Sequence, residues 1–145
     1  METNITKVAF FTDTPFNLRD YERYGIGLLR DNGFEVEIWD FTPALNEQLH
    51  RRVQGNEATA FHNYFLFESK RAAVEAINNL QQRMAIVFLL GYGAATCPIY
   101  RAVSQKVNLL YGFLFVNKLP DIMGDNRRSL SILYRRFANI ALYKV

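Results

Sequence analysis

The chain has 145 residues, half of them hydrophobic and 21% charged, which fits one globular domain with a buried core and excludes a disordered chain. The net charge of +3 is too small to mark a polyanion partner, so no nucleic acid is expected. The single cysteine, Cys97, excludes an intrachain disulfide and a Cys/His zinc site, so no metal is expected, and without a glycine-rich dinucleotide loop no cofactor is expected either.

Residues 1–6 lack the basic and apolar regions of a signal peptide. Residues 84–90, the longest apolar stretch, are too few to span a bilayer, so a cytoplasmic, reduced protein is expected. The run Lys7–Thr12 is almost wholly apolar and suits a strand covered on both faces. Residues 20–32 then read as one helix, with Tyr21, Tyr24, Leu28 and Leu29 inward and Arg23, Arg30 and Asp31 in solvent. Gly33 stops it where a left-handed residue is needed. In residues 34–39, Phe34, Val36 and Ile38 alternate with Glu35, Glu37 and Trp39, predicting a second strand with one more exposed face. Strand, helix and strand so closely spaced imply a parallel pair.

Residues 44–53 read as a short helix, 54–57 as a surface loop and 63–67 as a third, edge strand. Ser69 is placed to cap a helix over 70–83, whose buried stripe is Ala73, Ala76, Ile77 and Leu80. Residues 84–89 carry no charge and form the fourth strand. After the loop 91–96, Pro98 suits the first turn of a helix ending near Gln105. Residues 107–114 form the fifth strand, 119–124 are irregular, and 127–143 read as a closing helix. Strands alternating with helices imply right-handed crossovers and the simplest order 3-2-1-4-5. The expected fold is a single α/β three-layer Rossmann-like sandwich on a mainly parallel five-stranded sheet. The first and fourth strands, the most uniformly apolar, should be central.

That order puts the switch point between strands one and four, where α/β sheets place ligands. The first loop there is Asp13-Thr14-Pro15-Phe16-Asn17-Leu18-Arg19. It has no glycine, so it is no dinucleotide fingerprint, and no P-loop occurs anywhere. Asp13, Thr14, Asn17 and Arg19 offer hydrogen bonds to the hydroxyls of a small polar ligand; Asp13 and Asn17 also suit a turn and a helix cap. The second loop, with Tyr92, Gly93 and Thr96, is rich in small residues before a helix start. Its backbone N–H groups suit an anion or a sugar oxygen, and its glycines equally suit a tight turn at positive φ. Cys97 has no base related to it by motif, and His50 and His62 read as surface residues. Asp40 stands where a ribose-binding acid would follow a glycine loop, which this chain lacks.

Residues 127–145 carry five cations and no acid, leaving twelve cations against fourteen acids elsewhere. Three readings of this segment stay open: a helix packed on the sheet with a solvated basic face, an interfacial helix in peripheral contact with anionic lipid, or a helix packing on a second domain or driving self-association.

The stretch from Val8 to Asp13, and then Tyr21-Glu-Arg-Tyr-Gly-Ile-Gly-Leu-Leu-Arg-Asp-Asn-Gly-Phe-Glu-Val-Glu-Ile-Trp-Asp-Phe-Thr-Pro43, resembles the N-terminal half of GT-B-type glycosyltransferases and related surface-polysaccharide biosynthesis proteins. The apolar run from Met84, the strand from Val107 and Leu119-Pro120 fit the same half. The resemblance implies a Rossmann-like domain that contributes a sugar-acceptor site. Two departures qualify it. Many such enzymes have a glycine-rich loop after the first strand, where this chain has Thr12-Asp13-Thr14-Pro15. Their nucleotide-sugar site lies mostly in a second Rossmann-like domain. The resemblance therefore implies an acceptor-side domain, a fragment or a degenerate relative, inactive in isolation, and carries over no catalytic residue. The alternatives are a non-catalytic module binding a protein through Phe61, Tyr64, Phe65 and Phe67 or the closing segment, and a receiver-like domain, for which Asp13 alone supplies too few acids.

Overall fold

In a computed structural model, residues 5–53 and 61–114 are described, all within one compact unit, Met1–Leu114. The expected loop 54–57, the irregular stretch 119–124 and the closing helix 127–143 lie outside the described residues.

Five strands, β1 (Lys7–Thr12), β2 (Glu35–Asp40), β3 (Tyr64–Leu66), β4 (Met84–Phe88) and β5 (Leu109–Phe113), form one sheet in the order β3-β2-β1-β4-β5. Every pairing is parallel. β1 is central and β4 interior, as their apolar composition requires of strands covered on both faces. The helices are α1 (Leu18–Arg23), α2 (Ile26–Asp31), α3 (Thr42–Leu45), α4 (Glu47–Val53), α5 (Lys70–Asn78) and α6 (Cys97–Ser104).

Alternation along the strands divides the core in two. One face of the sheet presents Ala9, Phe11, Trp39, Ile86 and Phe88 to Ala73 and Ile77 of α5 and to Ile99, Tyr100 and Val103 of α6. The other presents Val8, Phe10, Val36 and Ile38 to Phe16 and Ile26, with Tyr21, Tyr24 and Leu29 packed around them. Ser69 caps α5 through its hydroxyl, which accepts from the Ala72 N–H at 3.2 Å.

Three expectations are corrected. The single helix over 20–32 is two, because Gly25 adopts the left-handed region at φ 64° and restarts the helical phase. The phase change turns Ile26 into the core and Leu28 out to solvent. The helix from Lys70 ends at Asn78, short of Arg83. The third concerns β2, where Glu37 and Trp39 are buried, although the alternation had put them on the more exposed face. Both carboxylate oxygens of Glu37 have donors: Lys7 Nζ at 2.8 Å and Trp39 Nε1 at 2.8 Å. A buried carboxylate is stable only with such partners. Lys7 also reaches Glu35 at 3.1 Å, and its pKa is raised, chiefly by the hydrogen bond to Glu37.

Of the four aromatic residues offered for a protein-binding surface, Phe65 is exposed, while Phe61, Tyr64 and Phe67 are half-buried and packed against the two core clusters.

Gly33 stands at φ 85°, and a Cβ there would meet nothing within 4 Å among the described residues. The cost of Gly33→Ala is therefore conformational, about 1–2 kcal/mol. Urea unfolding should show a lowered midpoint at unchanged slope; an unshifted midpoint would mean that the turn relaxes to another conformation.

Candidate functional site

The site lies at the carboxyl edge of the sheet, where β1, β2 and β4 end. Connections from β1 and β4 leave toward opposite faces, since α1 and α2 pack on one side and α6 on the other. Such a divergence is the switch point, at which open α/β sheets place their ligand crevice.

The first loop is shaped from both ends. Thr12 is buried, and its hydroxyl donates to the Thr14 carbonyl at 2.9 Å. Phe16 is buried in the core on the α1 side. Asn17 begins α1 as a capping box: its side chain accepts from the Asp20 N–H at 3.1 Å, and its own N–H donates to the Asp20 carboxylate at 3.3 Å. Its amide oxygen thus serves as the cap that the sequence also allowed. Arg19 is exposed on α1. Thr14 is exposed between the two anchors, and Asp13 is half-buried.

The second loop is closed by Thr96. Its hydroxyl donates to the Gly91 carbonyl at 2.8 Å and accepts from the Gly93 N–H at 3.0 Å. The Gly93 carbonyl accepts from the Cys97 N–H at 2.8 Å. Neither Gly91 nor Gly93 has a positive φ, so the alternative of a tight left-handed turn does not apply; the hydroxyl of Thr96 holds the loop instead. Thr96 is buried, while Tyr92 is 52% exposed and meets Tyr100 edge-on at 4.8 Å between centroids.

Asp13 joins the two loops. Burial is the largest influence on its carboxyl group and raises its pKa above the ordinary aspartate value; the N–H groups of Asp13 itself and of Gly91 pull the other way, and the charge of Asp40 adds to the rise. Of the seven residues singled out in the sequence, Asp13, Thr14 and Tyr92 thus present groups at the crevice, Asn17, Gly93 and Thr96 are used to build it, and Arg19 stands on the exposed surface of α1.

The sequence marked Asp40 only as a ribose-binding acid without its glycine loop; the partners that make it the group behind them were missed. Asp40 is 1% exposed at the end of β2, directly beside Thr12 in the register. One carboxylate oxygen accepts from the Thr42 N–H at 2.7 Å and from the Thr42 hydroxyl. The other accepts from the Tyr64 hydroxyl. Burial and this carboxylate keep the Tyr64 hydroxyl protonated far above its ordinary range. The pattern Asp40-Phe41-Thr42-Pro43 was the available signal, since an Asp two residues before a helical threonine commonly accepts from its N–H. Among the described residues no group of three or more His, Cys, Asp or Glu side chains is placed to hold a metal ion. No described helix is long and apolar enough to cross a membrane.

The raised pKa of Asp13 sets a sign for stability. An acid that holds its proton more tightly in the folded chain favours folding below its folded midpoint and opposes it above. The loss develops as pH rises from the ordinary value of 3.8 through the raised folded value. Asp13→Asn should therefore stabilise the fold at pH 7, with the difference from the parent vanishing at pH 3. Paired urea titrations at the two pH values check this; a destabilised variant at pH 7 would show that the charged carboxylate supports the loop. Asp40→Asn should lower the Asp13 midpoint, read by carboxyl 13C NMR, because it removes a neighbouring negative charge.

No family model matches the chain, and neither curated proteins nor solved structures supply a match. The α/β Rossmann-like assignment rests on the strand order, the parallel register and the flanking helices.

Proposed function

We propose that the crevice between the β1 and β4 loops binds the hydroxyl groups of a sugar acceptor. On this reading the chain is a glycosyltransferase-like, acceptor-side domain in cell-surface polysaccharide assembly, working at the cytoplasmic side of a membrane. The observation that carries the reading is the half-buried Asp13 carboxyl group at the meeting of the two loops, with Asp40 behind it.

A carboxylate only accepts hydrogen bonds, and sugar hydroxyls donate them. A phosphate has only acceptors to offer and is repelled by both carboxylates. At the second loop the Gly93 N–H is engaged with Thr96, and the Gly91 N–H favours the charged form of the Asp13 carboxyl group, so neither is free to cradle a phosphate. The crevice thus suits a neutral polyol and disfavours a diphosphate. Tyr92 adds an exposed aromatic ring with a polar tip, the mixed surface that a sugar ring presents in complement. The resemblance of residues 8–13 and 21–43 to polysaccharide-assembly proteins supports the biological setting. Transfer needs donor and acceptor oriented together, with the departing charge stabilised. The donor site on this reading belongs to another domain, and the chain alone turns over nothing.

Backbone amide NMR during titration with neutral oligosaccharides and, separately, with nucleotide-sugars tests the reading. Oligosaccharides should shift Asp13, Thr14, Tyr92 and Gly93. Asp13→Asn should weaken that binding roughly tenfold or more, the worth of a hydrogen bond to a charged group. Micromolar affinity for a nucleotide-sugar, or shifts confined to residues 44–53, would overturn it.

A further inference from the structure

We infer that residues 61–64 form a strap across the first loop, and that Tyr64 is a positioning residue for Asp13. The inference rests on the reading of that loop as a ligand site.

The strap begins with a turn. Asn63 stands in the left-handed region at φ 65°, which asparagine tolerates better than most residues, and its carbonyl accepts from the Ile38 N–H at 3.0 Å. The turn folds Phe61 back over α1. The Phe61 ring stacks on Tyr21 with centroids 5.5 Å apart and 4° between planes. It also meets Phe16 edge-on at 5.6 Å and lies 6.4 Å from the Tyr64 ring. The Tyr64 hydroxyl completes the strap by donating to Asp40 and accepting from the Phe16 N–H at 3.5 Å.

Phe16 is three residues from Asp13. The strap therefore holds the far end of the site loop from outside, by one ring and one hydroxyl. Its base is β3, only three residues long, with Phe65 and Leu66 exposed. Short strands with exposed side chains open more readily than the core. The order of the site loop is thus tied to the docking of β3, and a ligand held by the loop would in turn protect β3.

Hydrogen exchange and carboxyl 13C titration of the full chain without ligand test the strap. In Tyr64→Phe, amide exchange over residues 14–24 should rise about tenfold, the scale of one lost hydrogen bond. Exchange in α5, β4 and α6 should stay as in the parent. A loosened loop lets water reach Asp13, so its midpoint should fall toward 3.8. Phe61→Leu keeps the Tyr64 hydroxyl and removes the ring stack; it should speed exchange in the same residues and serves as the second variant if Tyr64→Phe does not fold. Exchange unchanged over 14–24 in the folded variants, a uniform rise across the chain, or an Asp13 midpoint that stays or climbs in Tyr64→Phe would overturn the strap. If the strap changes appear but the parent binds no oligosaccharide, the strap stands and the sugar reading falls.

Discussion

The carboxylate of Asp40 is the constraint on which the carboxyl edge depends. A charge removed from water is tolerable only when each oxygen has donors. Asp40 draws them from two separate places: the backbone and hydroxyl of Thr42 at the start of α3, and the hydroxyl of Tyr64 in β3. Through Tyr64 it also reaches the backbone of the first loop at Phe16. Moving any of these segments would strand a buried charge. The edge therefore has one arrangement of lowest energy, and Asp13 inherits a fixed place within it. The same charge opposes ionisation of Asp13, so the arrangement that orders the site also leaves it electrostatically tense.

β2 carries a second buried carboxylate, with a different task. Glu37 is on the opposite face from Asp40, because the two are three residues apart on a strand. Its donors are Lys7 of the neighbouring strand and Trp39 of its own. The first of these bridges β1 and β2 where Lys7 pairs with Glu35, and so favours the observed alignment over a slipped one. Glu37 sets register on one side of the sheet, and Asp40 sets loop geometry on the other.

The parts visible in the sequence are those that depend on neighbours in the chain. β1 is bounded as its apolar run requires, and the strand order follows from which runs lack charge. Ser69 and Pro98 sit in the first turns of α5 and α6 for local steric and hydrogen-bonding reasons. The two loops of the crevice were legible because fold class alone places them. What was not legible depends on partners far away. Glu37 is buried because Lys7 lies thirty residues earlier, and Asp40 because Tyr64 lies twenty-four later. No periodicity encodes such pairs. The break at Gly25 was hidden for another reason: glycine inside a helical pattern signals either tolerance or a stop, and only the packing of Ile26 decides.

The way Thr96 closes the second loop bears on how such a site can change over generations. A loop that owes its shape to glycine torsions cannot exchange those glycines without losing the shape. Here the shape comes from one hydroxyl, and a Cβ at Gly91 or Gly93 would meet nothing within 4 Å among the described residues. Both positions are open to ordinary side chains on an unaltered backbone. Selection, or an engineer, can therefore add side chains to this loop one residue at a time while the supporting frame stays as it is, and the surface at this end of the sheet can be rebuilt without a detour through an unfolded intermediate sequence.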